Sequence, residues 1–250
     1  MVIEPGGARL PEFCPQSGFA YRGDWGLEGL EALAADSAVV IIVDVLRFTS
    51  AVCCALEAGA AVLPYRWNDA SAVEFVTLHH AVLAGRREDS VLSLSPTDLL
   101  TIHAGTRLVL PSPNGSTIAF RAHELGVPHV LAGCLRNETA TADAARHFAE
   151  GGPISVIAAG ERWRSHDRTL RAAVEDLLGA GAILTALDQS AAATAPECSP
   201  EPGAACAAFV AARPRLDDTL QQRVGTRAPR PRLRGRHRNL RRPRRQHHGL

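Results

Sequence analysis

The chain has 250 residues, 46% of them hydrophobic, which is enough for one sizeable core. No apolar run reaches the length of a membrane span, and the start Met1-Val2-Ile3-Glu4-Pro5 lacks the basic segment and apolar core of a signal peptide, so a cytoplasmic protein without membrane partners is expected. The net charge of +1 hides a division: residues 223–250 hold 11 arginines and no acid, which leaves residues 1–222 at about −10.

In chain order, residues 1–36 read as a leading segment with a turn at Asp24, Trp25 and Gly26, then a helix from Gly26 to Ala35. Val39-Val40-Ile41-Ile42-Val43 is a β-branched run with no polar alternation, as expected of a strand buried on both faces at the centre of a parallel sheet. Asp44 and Arg47 follow at its carboxyl end, where open α/β sheets bind ligands; a structural pair tying the turn is an equal reading. Thr49 and Ser50 offer an N-cap for a small-residue helix running to Gly59.

Ala61 to Tyr65 reads as a second strand, and Asn68 as the cap of a helix whose Ala72, Val73, Phe75 and Val76 share a face. His79 and His80 are consecutive on that helix, and no histidine pair has zinc spacing. Ala84 to Pro96 is loop-like. Strands follow at Thr106–Pro111, His129–Ala132 and Ile154–Ala159, with helices from Ser116, from Thr139 to Ala149, and from Leu170 through Gly179. After Leu187 the pattern decays, and Ala191 to Ala207 reads as a mobile excursion.

This alternation predicts an α/β fold with a mostly parallel sheet covered on both faces. A weak echo between VIIVDVLR and VIAAGERW suggests an internal duplication, although βα units share such grammar without common ancestry. The six cysteines show no ligand spacing: Cys53 and Cys54 are neighbours, and Cys14, Cys134, Cys198 and Cys206 stand apart, as in a reducing compartment.

Four loops fall at carboxyl ends of predicted strands: Asp44 to Ser50, Ser112 to Thr117, Gly133 to Asn137, and Gly160 to Trp163. A parallel sheet brings such loops to one edge. Asn114-Gly115-Ser116-Thr117 suits an anion, with Gly115 permitting close backbone approach and a helix start supplying N–H groups; a plain turn and cap is the commoner use. Arg47 and Arg162 could add bidentate contacts to phosphate or sulfonate. Asp44, Glu161, Glu175 and Asp176 are candidate Mg²⁺ ligands, and Mg²⁺ needs only one or two carboxylates beside waters and phosphate. Glu175 and Asp176 are adjacent on one helix, so at most one is expected to reach the site.

Taken in order, DVLRFTSA, LSLSP, LPSPNGST, GCLRN, AAGERW and AVEDLLGAGA resemble the 2-phosphosulfolactate phosphatase family, from Trp25 to Leu187. The resemblance implies a three-layer α/β/α fold and Mg²⁺-dependent release of phosphate from 2-phospho-3-sulfolactate, on the route to coenzyme M. It implies roles for Asp44, Arg47, Asn114, Gly115, Ser116, Asn137, Glu161, Glu175 and Asp176. Two departures bear on the substrate: Leu94 in Ser93-Leu94-Ser95-Pro96 replaces an asparagine found in many members, and Ser112-Pro113-Asn114-Gly115-Ser116 replaces Thr-Thr-Asn-Gly-Thr.

The leading expectation is a hydrolase of a small anionic phosphorylated substrate. Asp44, Arg47 and Glu161 are its catalytic candidates, Asn114, Gly115, Ser116, Thr117, Asn137 and Arg162 would bind substrate, and Asp44, Glu175 and Asp176 would hold Mg²⁺. Asp44 would hold the metal, or act as nucleophile or base. The rival expectation is an inactive, ligand-binding relative. The tail has an electrostatic footprint for nucleic acid but no aromatic residue for stacking, and the body is acidic, which argues against such a partner. A homo-oligomer is left open.

Domain organisation is one α/β unit over residues 1–222 and an Arg/Pro-rich tail from Arg223 with nothing to bury, expected to be disordered. A sharper account is a frameshift near Gln222. With suitable synonymous codons, the tail read one nucleotide later begins Ala-Ser-Gly-Arg-Glu-Leu, with balanced charge and strand-like and helix-like stretches.

Overall fold

A computed structural model describes residues 16–66, 70–85, 92–93, 95–163, 168–188 and 198–225. The elements in order are β1 (Tyr21–Trp25), α1 (Gly26–Leu33), β2 (Val39–Val43), α2 (Phe48–Glu57), β3 (Ala61–Tyr65), α3 (Ala70–Leu78), β4 (Val82–Leu83) and α4 (Pro96–Leu99). There follow β5 (Arg107–Pro111), α5 (Gly115–Glu124), β6 (His129–Gly133), α6 (Glu138–Ala149), β7 (Ile154–Ala158), β8 (Glu161–Arg162), β9 (Leu170–Arg171), α7 (Val174–Asp188), α8 (Pro200–Ala212) and α9 (Leu216–Gly225). The predicted cap at Asn68, the Leu94 departure, residues 191–197 of the predicted excursion and residues 226–250 of the tail lie outside the described residues.

The fold is a three-layer α/β/α arrangement with two parallel sheets. One has the order β1-β7-β2-β6 and the other β3-β5-β4, while β8 and β9 form a small antiparallel pair. The β-branched run of β2 lies between β7 and β6, with Val43 level with both Ala158 and Gly133. Its five side chains are buried, as a strand flanked on both edges and both faces requires. Val39, Ile41 and Val43 join Val156 and Ala158 under α6, α7 and α8, through residues such as Ala145, Ile183 and Leu184. Val40, Ile42 and Ile157 pack on the opposite side against Leu30 and Leu33 of α1 and Ile118 and Ala122 of α5. The smaller sheet is covered by α2, where Phe48, Ala51, Val52 and Ala55 meet Leu108 and Leu110.

Several local expectations are corrected. Of the turn expected at Asp24, Trp25 and Gly26, the first two residues instead end a strand, Tyr21–Trp25, which pairs in register with β7 from Tyr21↔Ile154 to Trp25↔Ala158. That pairing buries Arg22, whose guanidinium reaches Asp36 at 2.7 Å and Ser37 at 3.2 Å. The predicted excursion, Ala191 to Ala207, runs into α8, which starts at Ser199-Pro200, a cap position followed by proline at N1. It seats Ala205 and Phe209 on α7, where an added Cβ at Gly181 would lie 2.2 Å from the Ala205 carbonyl oxygen. Leu170 belongs to β9 and not to the helix, which begins at Val174. His79 and His80 follow the end of α3, and His80 has a left-handed φ of 48° that a continuing helix would not allow.

Candidate active site

The turn after β2 is built by its own side chains. Thr49 does not cap α2, which starts at Phe48; its hydroxyl donates to the Asp44 carbonyl at 2.8 Å and accepts the Asp44 N–H at 3.0 Å. Ser50 likewise donates to the Val45 carbonyl at 2.8 Å. Asp44 Oδ1 takes the Phe48 N–H at 3.2 Å, so the carboxylate satisfies a donor that a cap would otherwise serve.

Asp44 Oδ2 crosses to the turn after β5. It accepts the Gly115 N–H at 3.0 Å, from the first residue of α5, and the Ser112 hydroxyl at 3.3 Å. Gly115 is required there: an added Cβ would lie 2.3 Å from Phe48 Cδ1 and 2.8 Å from Asp44 Oδ2. The close backbone approach read from Asn114-Gly115 therefore serves the chain's own carboxylate, beside the positive end of a helix.

Asp44, Arg47, Ser112, Asn114 and Glu161 line one cleft of about 170 Å³, walled by Leu46, Phe48, Pro111 and Pro113. Three of the four strand-end loops thus meet, those after β2, β5 and β7. Arg47 is exposed at the cleft and, among the described residues, has no ion pair, so the structural Asp44–Arg47 pair is not formed.

The other candidates are placed differently. Ser116 is fully buried and donates to the Leu110 carbonyl at 2.8 Å, while the hydroxyl of the half-buried Thr117 donates to the Pro113 carbonyl at 3.0 Å. Asn137 closes its own turn, accepting the Cys134 N–H at 2.8 Å and donating to the Ala132 carbonyl at 3.1 Å. Arg162 donates to the Arg168 carbonyl at 3.2 Å and is outside the cleft lining. Glu175 and Asp176 are both buried in the first turn of α7. Asp176 accepts the Val45 N–H at 2.8 Å on Oδ1 and the Gly160 N–H at 2.9 Å on Oδ2.

Burial pushes the Asp44 carboxyl up from its ordinary value; bonds from Phe48, Gly115 and Ser112 oppose this, and the Glu161 charge adds to it. Asp176 is raised well above the ordinary value, first by burial and then by the Asp44 charge. Burial and the neighbouring carboxylate charge thus both act toward the protonated form of Asp44 and of Asp176. Among the described residues, no group of three or more His, Cys, Asp or Glu side chains is arranged to hold a metal ion. The donor chemistry still fits Mg²⁺ in its sparse mode. With Oδ1 accepting one bond and Oδ2 two, a carboxylate's roughly four acceptor positions leave one for a hard cation at Asp44.

Sequence reasoning assigned no role to Ser112, although it stands in the quoted LPSPNGST. The Phe48, Val45 and Gly160 N–H groups had no signal in the sequence, since main-chain donors are the same at every non-proline residue.

A profile of the 2-phosphosulpholactate phosphatase family matches residues 28–228. A protein of Thermus thermophilus named "Probable 2-phosphosulfolactate phosphatase" is 33% identical over 152 residues, covering 58% of this chain and 60% of that protein. The "2-phosphosulfolactate phosphatase" of Methanothermobacter thermautotrophicus is 30% identical over 155 residues, covering 61% of this chain and 62% of its own length. The chain thus spans about three fifths of the curated relatives it matches. With the profile running through the β2, β5 and β7 loops that form the cleft, the chain belongs to the 2-phosphosulpholactate phosphatase family.

Proposed function

We propose that this chain hydrolyses the phosphomonoester of 2-phospho-3-sulfolactate or a closely similar small phosphorylated acid. The observation that carries the reading is the meeting of Asp44, Arg47, Asn114 and Glu161 in one cleft at the carboxyl edge of a parallel sheet, in a chain of this family. The exposed Arg47 guanidinium presents a fork of donors to phosphoryl oxygens. The Asn114 amide borders the same space and adds a neutral donor as charge builds on those oxygens, while the Ser112 hydroxyl proton stays on Asp44. Glu161, which lines the same cleft, takes the proton of the attacking water as the water oxygen bonds to phosphorus; the ester P–O bond breaks, and the leaving alkoxide takes that proton back from Glu161 or one from solvent water.

Asp44, together with the substrate phosphate, would hold Mg²⁺. The ion supplies a Lewis acid that offsets charge on the phosphoryl oxygens. Glu175 and Asp176 lie behind the cleft rather than on its wall. Among the described residues, no helix is long and apolar enough to cross a membrane.

Phosphate release from 2-phospho-3-sulfolactate and related phosphoacids, with and without Mg²⁺, tests the reading. Release that requires the cation is the expected result. No release from any of them by folded protein would overturn it.

A further inference from the structure

Asp176 has no part in the chemistry described above, yet it holds both loops that supply it. Its two oxygens receive N–H bonds from Val45 and Gly160, at 2.8 and 2.9 Å. Val45 directly follows Asp44 and lies two residues before Arg47; Gly160 directly precedes Glu161. The strands beneath are already joined at this end, with the Ala159 N–H on the Val43 carbonyl at 2.8 Å. Beyond that bond the ladder between β2 and β7 stops, and the Asp176 carboxylate takes over the role of a third strand edge.

Gly160 is shaped for this. Its φ is +64°, and an added Cβ would lie 2.8 Å from Leu170 Cδ1 and 3.0 Å from the Arg171 carbonyl oxygen. Asp176 is itself fixed, 3% exposed in the first turn of α7, with its own N–H on the Ala173 carbonyl at 3.1 Å. An apolar residue would fill the same space without bringing a carboxylate near Asp44. It could not accept two main-chain donors from two separate loops.

We infer that Asp176 is a positioning residue, whose carboxylate sets the spacing across the cleft between Arg47 on one loop and Glu161 on the other, and that it does not bind metal or substrate. This rests on the phosphatase reading for its effect on rate, but not for its effect on the loops.

The test compares Asp176→Asn and Asp176→Ala in the full chain by amide hydrogen exchange and by steady-state kinetics over a Mg²⁺ titration. Asparagine keeps one acceptor and alanine neither. The Val45 and Gly160 amides should exchange about tenfold faster in the alanine variant and less so in the asparagine variant, while amides of β5 stay unchanged. Turnover should fall by ~10²-fold in the alanine variant, as expected when a reacting group shifts by about an ångström. KM and the Mg²⁺ half-saturation should stay within about twofold, and asparagine should retain more turnover than alanine.

Unchanged exchange at Val45 and Gly160 would overturn the inference. So would a loss of rate that excess Mg²⁺ restores, which would make Asp176 a ligand. If the unmodified chain releases no phosphate, the functional reading fails, while the exchange comparison still decides what Asp176 does to the loops. If the alanine variant does not fold, the asparagine variant carries the same comparison.

Discussion

Arg47 and Gly115 sit on facing loops and serve the cleft in opposite ways, one by its charge and one by having no side chain. Arg47→Lys keeps the charge but loses the planar fork, so kcat/KM should fall by roughly 10-fold or more, and Arg47→Ala by ~10²-fold, measured as phosphate release. Gly115→Ala should act through structure. Its Cβ would press on Phe48 at 2.3 Å and on the Asp44 carboxylate at 2.8 Å, costing about 1–3 kcal/mol in urea unfolding and displacing Asp44. The buried carboxylates also set a pH trend. Asp176 and Asp44 both have folded pKa values above the ordinary 3.8, so the folded protein keeps protons that the unfolded chain releases. Their contribution to stability should fall as pH rises from the ordinary value through the raised ones, and then level off. Melting temperatures of the unmodified chain and Asp176→Asn, followed from acid to neutral pH, check this. A slope of the opposite sign, or one that the substitution leaves intact, would contradict it.

At the scale of elements, the α7–α8 pair holds the back of the sheet and places the first turn of α7 behind the cleft. Its close approach depends on Gly181, where an added Cβ would meet the Ala205 carbonyl oxygen at 2.2 Å and Phe209 Cβ at 2.8 Å. Both contacts are with backbone or near-backbone atoms, which cannot rotate away as a flexible side chain would. Gly181→Ala gains helix propensity worth about 1 kcal/mol. It should nevertheless destabilise by about 1–3 kcal/mol, because α8 has to move off α7. Thermal unfolding gives the sign directly, and a stabilised variant would show that the helices yield more easily than their packing implies.

Over the whole molecule, the charge division sets an acidic body against an arginine-rich end. The family match closes at residue 228, just inside the arginine run, and α9 extends to Gly225. On the frameshift reading, a gene restored to the other frame near Gln222 should encode a chain whose end has balanced charge. That chain should melt higher by ~4 °C or more, if the restored segment packs on the body. Resequencing through the region is the first measurement. A verified frame reading Arg223 to Leu250 as written here, with no coherent sequence in the alternative frame, would dismiss the idea.

How much of this could be read from the chain alone follows from the range of each interaction. The β2 run, the alternation of strands with helices, and the placing of Asp44, Arg47 and Glu161 just past strand ends are local patterns. Burial on both faces selects β-branched runs, and a parallel sheet aligns the carboxyl ends of its strands. Three kinds of feature needed the tertiary structure. Tyr21–Trp25 is a strand only because β7 offers it an edge, and α8 is ordered where α7 offers Gly181 as a seat. Which hydroxyls and amides face the cleft was equally hidden: Ser116, Thr117 and Asn137 spend theirs on nearby carbonyl or N–H groups, whereas Ser112 turns to Asp44. The role of Asp176 was least visible of all. A carboxylate 131 residues away from the Val45 N–H it accepts leaves no trace in local spacing, and only the closed fold brings donor and acceptor together.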